Sequence, residues 1–310
     1  MVLSAWFHPL QLQLQLFVVL LLLSTVSTLS PPYPHLVDPS GWSDELFAQE
    51  VVSSNDVDVI PAANSQYAWS AGLTHSAFNR VINGQLVHGH VFQVENPVGH
   101  FHVNQPLNNC PGMIRAAVSA QKAHCAGAMN AGFFNIYTGQ CLGNLVSQGA
   151  VIQAPGGKNA MFGLTKTGQF VAGYLSLSNI TDNSFEELIT GIGFLVRNGA
   201  NWVEKAIVEE EVDFNFVYEK APRVAVGVKS DGTLLMVEVD GDEAVMAGVD
   251  LFEMADLMVA YGAQMAVNLD GGGSATVYYG GKVVNNFSDW CPAAFGRRCE
   301  RSVTSYLCIA

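Results

Sequence analysis

The sequence predicts an α+β fold that is β-rich, with mixed twisted sheets, a few packed helices and disulfide staples. Short runs of β-branched and aromatic residues recur along the chain, bounded by Gly, Asn and Asp. Only two stretches carry a helical pattern. All six cysteines lie beyond an N-terminal apolar segment of secretory type, which suits an oxidised, stapled domain.

The N-terminal stretch "LQLQLQLFVVLLLLSTVSTLS" holds an apolar run from Phe17 to Leu23. It is too short to span a bilayer, which takes roughly 20 apolar residues. Small residues follow at Ser24, Thr25, Ser27 and Thr28, so residues 1–29 read as a signal peptide, although no Lys or Arg precedes the run. Residues 30–64 open "SPPYPHLVDPSGWSDELFAQE" and are Pro-rich and acidic; they read as an arm outside the core, or a pro-segment. No linker divides the remainder, so residues 65–310 are expected to form one domain.

Within it, strands are expected in "HVFQVEN", "AMNAGFF", "AVIQ", "MFGLTKTGQFVAGYLSL", "GIGFLVRNG", "RVAVGVKSDGTLLMVEVDG", "QMAVNLD" and "ATVYYGGKVVNNF". Thr167-Gly168, Asp231-Gly232 and Gly280-Gly281 mark hairpin turns. "PGMIRAAVSAQKAH" is an Ala-rich helix candidate. "VDLFEMADLMVAYG" is the stronger one: Asp250 and Glu253 form a capping box, Gly262 a stop, and Leu251, Met254, Ala255, Met258 and Val259 an apolar stripe.

The net charge is −13 and only 13% of residues are charged. The single basic pair, Arg297-Arg298, is no nucleic-acid footprint, so no polynucleotide partner is expected. An anionic substrate would need local cations against that field; Arg223, Arg301 and Arg197 are the candidates. Phosphate-loop, dinucleotide and nucleophile-elbow fingerprints are missing, and no cofactor is expected. His88-Gly89-His90 and His100-Phe101-His102 place imidazoles two apart, on one face of a strand. They offer a metal reading, but no carboxylate or thiolate accompanies them at ligand spacing, so ordinary strand histidines and no metal are preferred. Asn179-Ile180-Thr181 and Asn286-Phe287-Ser288 are glycosylation sequons.

Two stretches could carry chemistry. "VNLDGGGSATVYY" ends an apolar run in Asp270 and follows it with Gly271, Gly272 and Gly273, then Ser274 and Thr276. Bare backbone beside a carboxylate fits either a strand bulge or a site whose amides and hydroxyls meet an anionic oxygen. "AMNAGFFNIYTGQCLGNLVSQG" interleaves Asn130, Asn135 and Asn144 with Phe133, Phe134 and Tyr137. Amides beside aromatic faces suit sugar recognition, and equally suit glycine-rich turns with Asn caps.

Together with "LVRNG", "PRVAVG", "LFEMADLM", "SDWC" and "RRCERSV", these segments resemble, in the same order, the catalytic domain of the phosphodiester glycosidase family. The resemblance runs from about His75 to Cys308, across nearly the whole expected domain. It implies a mixed α/β architecture. It also implies a hydrolase that removes the GlcNAc capping mannose 6-phosphate on lysosomal enzyme glycans, with phosphorylated high-mannose glycans as substrate. Asn130, Gly132, Phe133 and Phe134 match the family's N-x-G-F-F, and Gly143 with Asn144 its C-L-G-N. Arg223 matches a strand-opening Arg, Asp240 a D-G turn, and Asp270 to Ser274 the L-D-G-G-G-S. Asp289 matches the S-D before a Cys, and Arg301 the Arg after a late Cys. His90 has a counterpart; His88, His100 and His102 do not.

The implied roles follow from those matches. Asp270 supplies a carboxylate, with Asp240 or Asp289 as a second and the choice of nucleophile or base open. Arg223, Arg301, Gly271, Gly272, Gly273 and Ser274 hold phosphate. Asn130, Asn144, Phe133 and Phe134 hold the sugar. The implied disulfides are Cys110–Cys141, Cys125–Cys308 and Cys291–Cys299. Vertebrate members continue into an EGF-like module, a membrane-spanning helix and a tail, whereas this sequence ends at Ala310. No stable membrane span is expected once the leader is removed, and the expected location is the secretory lumen or outside the cell. Two rival readings are a metal-dependent phosphodiesterase cleaving P–O and a secreted carbohydrate-binding protein without catalysis.

Overall fold

A seven-stranded sheet forms the centre. Its order is Ala200–Asn201, Phe194–Arg197, Ala263–Leu269, Arg223–Lys229, Leu234–Val239, Gln85–Val94 and Leu73–Ile82. The structure, a computed structural model, describes residues 56–64, 68–107, 110–182, 184–290 and 296–310. The expected leader, most of the expected arm and Cys291 lie outside them.

The central strands explain themselves by alternation. Val224, Val226 and Val228 enter one core with Met265, Val267 and Leu269. Ala225, Leu235, Val237 and Ala266 enter the other. Both faces are covered, so these strands read as nearly continuous apolar runs. Helix Leu251–Ala260 covers one face, with Leu251, Met254, Ala255 and Met258 turned into the core. Its start is the expected capping box, with Asp250 Oδ1 accepting from Glu253 N at 2.9 Å and Glu253 Oε2 from Asp250 N at 3.2 Å. The other face packs on a six-stranded sheet through Phe162 and Phe170, and on a five-stranded sheet through Met129 and Leu307.

Every pairing between described strands is antiparallel, which is more uniform than the mixed sheet expected from sequence. Hairpins join neighbours, including those at Thr167-Gly168, Asp231-Gly232 and Gly280-Gly281, so few helical crossovers are needed.

The expected arm reaches further into the fold than its composition suggested. Asp56–Pro61 is an edge strand paired with Gln169–Tyr174, and Ala62 belongs to the main core. Asp56 and Asp58 both bind Arg197, whose Nε lies 3.0 Å from Asp58 Oδ2. The acids that gave this segment its loop-like composition are thus one side of an ion-paired edge strand.

Cys110–Cys141 and Cys125–Cys308 are bonded as the resemblance implied. Cys299 is also disulfide-bonded, and its expected partner lies outside the described residues. Among the described residues no helix is long and apolar enough to cross a membrane.

Candidate active site

The antiparallel register brings the chemistry to one end of the central sheet. Val224 pairs with Leu269 and Arg223 with Val239, so Asp270, Arg223 and the turn after Val239 emerge together. The five-stranded sheet meets them through strand Gly127–Asn130, where Asp270 N donates to Ala131 O at 2.9 Å. Asn130 locks that junction. Its Nδ2 donates to Asp270 O at 2.6 Å and its Oδ1 accepts from Thr276 N at 3.0 Å.

The three glycines answer to three different neighbours. A Cβ on Gly271 would strike the Pro222 carbonyl, one on Gly272 the Glu243 carboxylate, and one on Gly273 the Arg301 guanidinium. Gly272 also has φ of +52°, where glycine is favoured. Backbone, acid and base therefore close on this short 3₁₀ turn, Gly272–Ser274, from three sides. Gly272 N donates to Pro222 O at 2.9 Å, while Gly273 N has no partner among the described residues.

The charges are tightly packed. Burial pushes the Asp270 carboxyl up to about 7; the Ser274 hydroxyl and Arg301 pull it back, and Glu243 adds to the rise. Arg301 Nε donates to Asp289 Oδ2 at 2.9 Å, and its Nη1 lies 3.5 Å from Ser274 Oγ. Burial works against its charge, but Asp289, Asp270 and Glu243 together keep its pKa above the ordinary arginine range. Burial draws Arg223 down to about 10. Its Nη2 donates to Phe216 O at 2.8 Å and Glu219 O at 2.9 Å, its Nε to Val249 O at 3.3 Å, and the guanidinium lies over the Phe216 ring. Arg223 is thus a fixed structural cation beside the site rather than a free clamp.

Several sequence candidates occupy framing positions. Asp240 spends both oxygens on Asn286, accepting from N at 2.8 Å and Nδ2 at 2.7 Å. Asp289 accepts from Arg301 and from Trp290 N. Asn144 is buried, with Oδ1 accepting from Gly156 N and Nδ2 turned to Gly156 O and Met161 Sδ. Phe133 and Phe134 are 6% and 7% exposed and sit in two different cores. These amides grip main chain and these rings are largely covered by the cores around them.

The four HxH imidazoles take separate partners: His88 Asn79, His90 His75, His100 the Ala68 and Ala310 carbonyls, and His102 Glu187. Of the two sequons, Asn286 is exposed, and Asn179 is half-buried in helix Leu177–Thr181.

Sequence reasoning missed Glu243. It sits on a 3₁₀ turn, Glu243–Val245, with its carboxylate against Gly272 and no hydrogen bond to it among the described residues. Desolvation and the nearby Glu219 and Asp289 raise its pKa, while Arg301 and Arg223 oppose the rise. An Asp-Glu pair, Asp242-Glu243, directly after Asp240-Gly241 at a strand end was the available signal. Buried carboxyls at Glu238 and Glu187, inside strands, and at Glu210, at a helix C-terminus, were also missed, because acids are rarely fully buried.

A half-buried carboxyl beside a guanidinium and a bare-backbone turn is an arrangement suited to meeting an anionic group. The sequence model of the family described as Phosphodiester glycosidase matches residues 123–310, and the chain belongs to that family. It is similar to N-acetylglucosamine-1-phosphodiester alpha-N-acetylglucosaminidase of Mus musculus, 36% identical over 256 residues, covering 77% of this chain and 49% of that protein. The Homo sapiens protein of the same name is 34% identical over 254 residues, covering 77% and 49%. The chain thus spans about half the length of the curated relatives it matches. A solved structure of the zebrafish enzyme's catalytic domain, described as auto-inhibited by pro-peptide, superposes with a TM-score of 0.76 at 29% identity. It covers 86% of this chain and 98% of that one. A hypothetical protein from Synechocystis shares the fold at a TM-score of 0.58 and 16% identity, covering 83% of this chain and 64% of that one.

Proposed function

We propose that this chain hydrolyses GlcNAc-α-1-phosphodiesters at the C1–O bond, releasing GlcNAc and uncovering a phosphomonoester such as mannose 6-phosphate on high-mannose glycans. The observation that carries the reading is the half-buried Asp270 carboxyl set beside Arg301, with the Ser274 hydroxyl between them.

The chemistry fits that arrangement. A phosphate monoester is a weak base, so its departure needs little protonation, unlike that of an ordinary sugar oxygen. What the site must supply is negative charge facing an oxocarbenium-like C1 and positive charge at the phosphate. Asp270 supplies the first. Arg301, aimed by Asp289, and the Gly273 amide supply the second, while Arg223 adds field from beneath.

The secretory setting is part of the same reading. The leader is residues 1–29, the location is the secretory lumen or the exterior, and Asn179 and Asn286 carry glycans. A masking pro-segment would precede Asp56, because Asp56–Pro61 is already a strand of the sheet.

The test is hydrolysis of GlcNAc-α-1-phospho-6-mannose in ¹⁸O-water, before and after trimming of the segment preceding Asp56. Label in GlcNAc is the expected result. Label in phosphate would replace the reading with P–O cleavage, and no turnover in either form would leave a carbohydrate-binding protein.

A further inference from the structure

The Glu243 turn is built rather than loose. Asp242 caps it by accepting from Ala244 N at 3.1 Å, and Arg298 pairs with the same Asp242 carboxylate. Asp242 and Ala247 close it with reciprocal backbone bonds of 2.8 and 2.9 Å. Met246 completes it at φ of +53°. The turn docks on the residues that open the Arg223 strand: Ala221 and Val249 exchange backbone bonds, and a Cβ on Gly248 would strike Ala221. A fixed turn thus delivers one long acid side chain to the backbone of Gly272, two residues from Asp270. Asp240 and Asp289 have their oxygens committed; Glu243 does not.

We propose that Glu243 is the second carboxylate of the reaction, the base that takes the proton of the attacking water. This rests on the glycosidase reading above. The water oxygen forms the bond to C1, and its proton passes to a Glu243 oxygen. The electron pair of the breaking C1–O bond leaves on the phosphate oxygen. A phosphodiester monoanion and a carboxylate thus become a phosphomonoester dianion, free GlcNAc and a neutral acid, which returns its proton to solvent. Asp270 meanwhile faces the developing positive charge. Desolvation and the nearby Glu219 and Asp289 favour the uptake of a proton by Glu243, and Arg301 and Arg223 oppose that.

The experiment compares wild type, E243Q and D270N on GlcNAc-α-1-phospho-6-mannose, with and without azide. Azide attacks C1 without needing a base. E243Q is expected to lose about 10²–10⁴-fold in kcat with little change in KM. Azide should restore cleavage to E243Q as GlcNAc azide, and not to D270N. The Glu243 carboxylate makes no hydrogen bond among the described residues, so the melting temperature of E243Q should stay close to wild type. A kcat within threefold of wild type, a loss confined to KM, or a loss that azide does not relieve would overturn the proposal. Failure of wild type itself to release GlcNAc would overturn the glycosidase reading instead.

Discussion

Asn130 reaches between two sheets and donates to the main-chain carbonyl of Asp270 at 2.6 Å, while its Oδ1 takes the Thr276 amide at 3.0 Å. One buried amide therefore fixes both ends of the glycine run. Replacing it with Ala leaves a buried donor and a buried acceptor unpaired, and each such group costs about 1–3 kcal/mol. Asn130→Ala is expected to lower the urea midpoint of unfolding and to reduce kcat more than it raises KM. Unchanged stability alongside unchanged kcat would show that the junction holds without it.

This residue shows what the sequence could and could not reveal. Asn130 stood out in the sequence because it matched a family motif, but its grip on the main chain of Asp270 and Thr276 was not legible there. The Asp270 strand and the capped helix Leu251–Ala260 were legible because alternation and capping are local. Asn83-Gly84 and Asn198-Gly199, both with positive φ, close hairpins that were overlooked although Asn-Gly is the strongest short hairpin signal. Asp56–Pro61 was misjudged because its acids look solvated until Arg197 is brought to them from 139 residues away. Glu243 stayed hidden for a related reason: only the register of the central sheet sets that turn against Gly272.

Gly273 is bare because the Arg301 guanidinium occupies the place of its Cβ. Gly273→Ala is therefore expected to push Arg301 away from Ser274 and Asp289. KM for the phosphodiester should rise at least tenfold, with kcat less affected. Asp289→Asn removes the charge that aims Arg301 and should move KM in the same direction by less. Steady-state kinetics on both variants checks this; an unchanged KM in Gly273→Ala would mean that Arg301 takes no part in binding.

The Ser274 hydroxyl steadies the ionised form of Asp270, whose carboxyl burial has lifted to about 7. If the ionised form is the active one, kcat/KM should fall as pH drops below about 7. Ser274→Ala withdraws the stabilising hydrogen bond, so the acid limb should shift to higher pH. The measurement is kcat/KM against pH for wild type and variant. A limb that stays in place, or moves toward acid, would detach Asp270 from the observed titration.

Glu238 makes a stability prediction of definite sign. It lies wholly buried, two residues before Asp240; burial and the Asp240 charge push its pKa well above 4.5. Asn285 Nδ2 reaches one of its oxygens at 3.3 Å, and the other is buried without a partner among the described residues, which further favours the neutral acid. A carboxyl whose folded pKa exceeds its unfolded value stabilises fully below the unfolded value, and that stability is lost as pH rises through the folded one. Wild type should therefore melt at progressively lower temperature as the solution becomes alkaline. Glu238→Gln keeps a neutral donor of the same shape, so its melting temperature should fall less over that range and cross above wild type. Parallel curves for the two proteins would mean that Glu238 is already ionised in the fold. Asp240 would then hold Asn286 beside a second negative charge, and the segment leading to Asp289 and Arg301 would depend on some other brace.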